Sequence, residues 1–191
     1  GEADIKAKQI RTIGLAAERF AEDHLRLLRA VRFAAQLGFD IEPQTWAAVK
    51  SGAAAIKTVS AERIRDELNK LFAPPHAARG LALLRDSGLI EHVLPEIQAT
   101  TECEQSPDFH PEGSVFNHLV LMLEKMPPGS GASLAWAVLL HDVAKPVTAV
   151  KDARTGSIHF YGHEKMGAEM AERILERLRF PRKQIEEIVI A

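Results

Sequence analysis

A 3.6-residue apolar period runs through most of this sequence, and no stretch of useful length alternates as a half-buried strand would. That property restricts the chain to helix packed on helix. The clearest segment is Ala16–Leu37. At 100° per residue, Ala16, Ala17, Phe20, Leu27, Leu28, Val31, Ala34 and Ala35 share one arc, and Glu18, Arg19, Glu22, Arg26, Arg29 and Gln36 lie opposite. Gly38 is the expected stop. Pro43 opens a helix closed by Ser51-Gly52, and Ser60 is the expected N-cap of a helix over 61–72, which Pro74-Pro75 ends. Pro75 is the expected first residue of the next helix, which ends near Ser87-Gly88. From Gln98 to Gly113 the pattern turns irregular. Beyond it, helices are expected near 114–126, 132–144, 164–178 and from Arg182 onward, with a turn at 152–156 and a short strand at 157–161. The prediction is an all-α fold with two helical modules, 1–97 and 114–191, a linker over 98–113, and at most one short β-hairpin.

Composition narrows the class. Apolar residues are 46% and charged residues 26% of 191, as in a water-soluble globular protein. No apolar run approaches the roughly 18 residues of a membrane span, and no secretion signal is visible, so a cytoplasmic protein without membrane contact is expected. The lone cysteine, Cys103, excludes an internal disulfide and a cysteine-cluster metal site. The net charge of −2 divides unevenly: residues 1–80 carry 13 basic and 10 acidic side chains, and 81–191 carry 11 and 16. The positive front half is a hint of polyanion contact. Five of the eight histidines, His110, His118, His141, His159 and His163, fall within 54 residues. Oligomeric state is not legible.

On the first long segment Glu22, Asp23, Arg26 and Arg29 are spaced to share neighbouring turns. One reading is a set of intrahelical ion pairs on a solvated face. The other follows from base chemistry. A carboxylate only accepts hydrogen bonds and a guanidinium only donates them. Cytosine and adenine each present an amino donor beside a ring-nitrogen acceptor, whereas uracil and guanine present the reverse. An Asp–Arg pair would therefore accept C and A and oppose U and G, at about 1–3 kcal/mol per buried mismatch.

The run Ile10-Arg11-Thr12-Ile13-Gly14, then Arg19-Phe20-x-Glu22-Asp23-x-Leu25-Arg26-x-Leu28-Arg29-Ala30-x-Arg32-Phe33, then Leu37-Gly38-Phe39, resembles the neck of class II tRNA nucleotidyltransferases, the family of CCA-adding enzymes and bacterial poly(A) polymerases. Residues 59–68 resemble the next neck helix. The resemblance implies that Asp23 and Arg26 contact the base of CTP or ATP, with Glu22 and Arg29 positioning them, and that the RNA partner is a tRNA or other RNA 3′ end. It also implies a preceding catalytic head holding Mg²⁺ on an Asp-x-Asp pair. No Asp-x-Asp occurs in the chain, so these residues alone are not expected to transfer nucleotides.

His141-Asp142 closes the apolar run 134–140, His118 lies on the helix before it and His163 opens the helix after it. Such groups are costly to bury unless something occupies them. Two imidazoles and a carboxylate make a mixed nitrogen–oxygen donor set, better suited to Mn, Fe, Ni or Mg ions than to structural zinc. The set resembles the HD superfamily of metal-dependent phosphohydrolases, which implies His118, His141 and Asp142 as metal ligands, with Lys145 and His163 near a phosphate or second metal. That pattern also has an aspartate on a later helix; after Asp142 the sequence offers only Asp152, too early for it. The final apolar run 185–191 has no cap or stop signal, so an element continuing past Ala191 is expected. The two resemblances together imply a helical neck followed by a helical HD domain. Two rival functions stand beside nucleotide addition: an HD phosphohydrolase or phosphodiesterase with a helical scaffold in front, and a non-catalytic RNA-binding module. His24, on the apolar arc, is expected in the core; His76, His92, His110 and His159 are expected at the surface.

Overall fold

The computed structural model describes residues 1–106 and 110–190; residues 107–109, inside the expected linker, and Ala191, at the end of the expected last helix, lie outside the described residues. In chain order the helices are α1 (Glu2–Lys6), α2 (Ala16–Glu22), α3 (Leu25–Leu37), α4 (Pro43–Gly52), α5 (Ala61–Leu71), α6 (Ala77–Asp86), α7 (Ile90–Val93), α8 (Pro95–Gln98), α9 (Val115–Glu124), α10 (Ala132–Leu140), α11 (Lys145–Thr148), α12 (His163–Arg177) and α13 (Arg182–Ile190). Short 3₁₀ turns cover 53–58 and 99–102, so the expected linker is helical as far as Glu102. Two small sheets complete the fold. The antiparallel hairpin of β3 (Ala149–Lys151) and β4 (Ile158–Phe160) is the expected one. The parallel pair β1 (Gln9–Ile10) and β2 (Asp40–Ile41) was not expected, because two residues are too few to show a period.

The helix expected over 16–37 is two helices. Asp23 is extended (φ −157°, ψ 104°) and its Oδ1 accepts the Leu25 N–H at 3.1 Å. A short carboxylate competes with the helical ladder for a nearby backbone donor, and here it restarts the helix. Ser60 holds the N-cap place of α5 without a side-chain cap bond, whereas Ser114 does cap α9, accepting from the Asn117 N–H. Helix α6 begins at Ala77 rather than at Pro75. Its Gly80 lies so close to α5 that a Cβ there would sit 2.8 Å from Leu71 Cδ1, so a side chain at this position would push the two helices apart.

Helix α3 packs against α5 and α6, and α6 against α9, so one apolar core extends from Phe20 to Ile188. Trp136 of α10 is fully buried, edge-on to Phe72 and Phe180 at ring distances of 5.3 and 5.2 Å, and its Nε1–H donates to Asn69 Oδ1 at 2.7 Å. Arg177 of α12 pairs with Glu96 of α8. Within the first half, Arg32 and Glu67 form a buried ion pair at 2.6 Å between α3 and α5.

Candidate functional site

The first cluster sits at the α2–α3 break. Glu22 receives Arg19 at 2.6 Å and Arg26 at 2.5 Å, and Arg26 also donates to the Arg19 carbonyl at 2.9 Å. Asp23 takes other partners. Its Oδ2 accepts from Arg63 of α5 at 2.8 Å while Oδ1 caps Leu25. The Arg63 hydrogen bond is the main reason the Asp23 carboxyl sits below its usual pKa; Arg26 contributes least. The Arg26 hydrogen bond does the same for Glu22. Asp23 and Arg26 thus flank the α2–α3 break, each held by a different partner. Arg29 is exposed, its guanidinium 5.9 Å from the Phe33 ring, and among the described residues it forms no ion pair with Glu22 or Asp23. His24 is half-buried at the break, with Nδ1 2.9 Å from Thr58 Oγ1, rather than in the core.

The second cluster is built round a buried carboxylate, with His141 at its open edge, 38% accessible. Helix α9 supplies His118, the C-terminal end of α10 supplies His141 and Asp142, α11 begins at Lys145 and α12 at His163. Asp142 is buried at their centre. His141 Nε2 lies 3.1 Å and His118 Nε2 3.9 Å from its Oδ2, and His163 Nε2 lies 3.8 Å from Oδ1. Each imidazole turns its Nδ1 outward: His141 to the Val138 carbonyl and His163 to the Phe160 carbonyl, both at 2.7 Å, and His118 to Glu112 at 2.6 Å. An acceptor at Nδ1 fixes the Nδ1–H tautomer of a neutral ring, so three Nε2 lone pairs face one carboxylate. A cation relieves such a facing of acceptors, either a proton on an imidazole or a bound ion. Burial would lower the His141 pKa, but the Asp142 carboxylate outweighs it and the net direction is up. Burial would raise the Asp142 pKa, yet His141 and Lys145 hold it far below the usual carboxylate range.

Lys145 is itself buried, with Nζ 2.8 Å from Asp142 Oδ2 and donating to Gln105 Oε1 at 2.7 Å. The contacts on Oδ2 are close but poorly aligned, and the atom is left as a buried oxygen without a hydrogen bond. An orphaned carboxylate oxygen, with ligand atoms of His118, His141 and Asp142 within 4.8 Å of one another, fits a divalent ion. A cleft of about 310 Å³ opens on the cluster, lined by His141, Asp142, His163 and Glu164 and walled by Ile188.

The comparisons with known proteins match both halves. Residues 38–100 match the family described as the probable RNA and SrmB-binding site of polymerase A, and residues 114–191 match the HD domain. Over 189 residues the chain is 39% identical to an A-adding tRNA nucleotidyltransferase of Deinococcus radiodurans, covering 95% of this chain and 43% of that protein. It is 34% identical to a CC-adding tRNA nucleotidyltransferase of Thermus thermophilus, covering 98% and 44%. The chain matches the neck and HD regions of CCA-adding tRNA nucleotidyltransferases. It spans less than half the length of these relatives, over their neck and HD regions. The crystal structure of the Bacillus stearothermophilus CCA-adding enzyme in complex with CTP superposes with a TM-score of 0.63 at 26% identity, covering 98% of this chain and 38% of that one. A tRNA nucleotidyltransferase complexed with a primer tRNA and an incoming ATP analog shares the fold, with a TM-score of 0.56 at 20% identity over all of this chain and 48% of that one.

Sequence reasoning missed Arg63, Glu112, His110 and Gln105. Arg63 lies 40 residues from the carboxylate it holds, and the other three belong to non-periodic segments. His110, expected at the surface without a partner, stacks edge-on against His118 at 4.9 Å and also reaches Glu112, at 3.1 Å. The one available signal was the His-x-Glu spacing of His110 and Glu112, six residues before His118.

Proposed function

We propose that the whole protein adds C or A nucleotides to the 3′ ends of tRNA in the cytoplasm, and that this chain supplies the base-selecting neck (1–97), a connecting segment (98–113) and an HD domain (114–191). The observation that carries the reading is the separate anchoring of Asp23 and Arg26, three residues apart at the α2–α3 break. Glu22 and the Arg19 carbonyl hold Arg26 in place, so its remaining N–H donors are preorganised for a ring-nitrogen acceptor. Arg63 and the Leu25 amide hold the Asp23 carboxylate, which accepts from the exocyclic amino group of cytosine or adenine. Arg29 lies one turn further along the same helix, free to reach the nucleotide. CTP and ATP are the substrates of this reading. Its Mg²⁺ belongs to a catalytic head and not to these residues, and addition of A alone, as by a poly(A) polymerase, uses the same base edge. Substituting Arg26→Ala in the full-length protein tests it: incorporation of both CTP and ATP should fall about 10–100-fold, the equivalent of 1–3 kcal/mol of base recognition. Unchanged incorporation of both overturns the template assignment.

A second reading has its own observation, the orphaned Asp142 oxygen among three inward-facing Nε2 atoms. In it His118, His141 and Asp142 hold a divalent metal, which when bound polarises a phosphoryl oxygen and acidifies a water. His163 faces the same cleft and Lys145 balances the charge of Asp142. Phosphatase and phosphodiesterase assays with and without Mn²⁺ or Ni²⁺ separate this activity from tRNA binding alone, which would be salt-dependent and without turnover.

A further inference from the structure

We propose that Glu112 is the positioning residue of the histidine cluster: it holds His118 as the Nδ1–H tautomer with Nε2 aimed at Asp142, ready to receive a divalent metal ion. The proposal rests on His118, His141 and Asp142 acting as metal ligands. A carboxylate ionised at neutral pH can only accept, so the 2.6 Å contact between Glu112 Oε1 and His118 Nδ1 places the proton on Nδ1. In the neutral ring the lone pair is then on Nε2, which lies 3.9 Å from Asp142 Oδ2. His141 and His163 reach the same tautomer through backbone carbonyls of their own local segments. His118 alone of the three depends on a side chain from elsewhere.

That side chain is itself fixed. Glu112 is mostly buried, and its carbonyl accepts from Asn117 Nδ2 of α9 at 3.0 Å. Gly113 turns the chain at φ +90°, a conformation that residues with a Cβ rarely adopt. Ser114 then caps the helix that carries His118, and the Val115 amide donates to the Cys103 carbonyl at 2.9 Å. His110 brings a second donor to the same Oε1 at 3.1 Å and rests edge-on against the His118 ring. Carboxylate and imidazole are thus joined through the turn at Gly113 and the cap of α9. A ligand fixed this way loses less freedom on binding the ion.

The test is calorimetric titration of the chain with Mn²⁺, together with ¹⁵N NMR of the histidine rings before metal is added. Glu112→Ala should weaken Mn²⁺ binding about 10–100-fold, and the metal-free His118 should change from one Nδ1–H tautomer to a mixture. Glu112→Gln, whose amide oxygen still accepts from Nδ1, should fall between Ala and the native residue; it also serves if the Ala variant does not fold. Unchanged affinity in both variants, or an Nε2–H tautomer of His118 in the native chain, overturns the positioning role. So does binding of two ions of which Glu112→Ala loses one, because Glu112 would then be a ligand of its own site. If neither this chain nor the full-length protein binds Mn²⁺ at the cluster, the ligand reading itself fails. If His118→Ala and His141→Ala abolish binding while Glu112→Ala does not, only the positioning role fails.

Discussion

The two charged clusters of this chain are built on opposite physical plans. At the α2–α3 break the ion pairs of Glu22, Asp23, Arg26 and Arg63 are partly exposed; the side chains of Glu22 and Arg26 are 45% and 41% accessible. Such pairs are screened by water and salt, and contribute little to stability. Around Asp142 the carboxylate is 5% accessible, and three rings and an ammonium converge on it. The open plan leaves acceptors and donors for a base to replace water. The enclosed plan fixes lone pairs for an ion and makes its buried groups, Asp142 and Lys145, expensive to remove.

The enclosed cluster should give the largest effect. Asp142→Asn removes the charge that Lys145 was buried against, and an uncompensated buried charge costs about 3–5 kcal/mol. Urea unfolding of the chain should show a loss of that order, and adding Lys145→Met should restore much of it. If the single variant loses under about 1 kcal/mol, water already reaches the centre and the contrast with the open cluster collapses.

The next effect lies in the neck, in function rather than stability. Arg63→Ala frees Asp23 from the partner that holds its Oδ2, while its Oδ1 cap on Leu25 remains. In the full-length protein the preference for CTP and ATP over UTP and GTP should shrink several-fold, whereas the chain's unfolding free energy should change by at most about 1 kcal/mol. A large stability loss with discrimination intact would make Arg63 a brace for α5 and not part of the reading face.

This contrast explains which parts of the molecule were legible in the sequence. His141-Asp142 stood out because it ends the apolar run 134–140, where polar groups need a reason. The stops and starts at Gly38, Pro43 and Gly52 are local chemistry and fall where expected. The break at Asp23 is also local, but a helical wheel cannot show it: the apolar arc continues through 16–37 with or without two non-helical residues. The partners that matter most, Arg63 for Asp23 and Glu112 for His118, come from tertiary approach and non-periodic chain, which carry no pattern to read. His110 was assigned to the surface for the same reason.

The smallest effect is the most direct measure of the open plan. Asp23 titrates below its ordinary value of 3.8, chiefly because Arg63 donates to the ionised carboxylate. A depressed carboxylate pKa means that the pair contributes fully above 3.8 and that the contribution is lost as pH falls through the lower folded value. In Arg63→Ala the carboxyl resonance of Asp23, followed by ¹³C NMR, should therefore titrate closer to 3.8, and stability below pH 4 should become less pH-dependent. Added salt should move the native chain in the same direction, because the pair is within reach of solvent ions. A native midpoint at or above 3.8 would mean that Arg63 leaves the carboxylate in solution, and then no side chain holds the acceptor half of the base-reading pair.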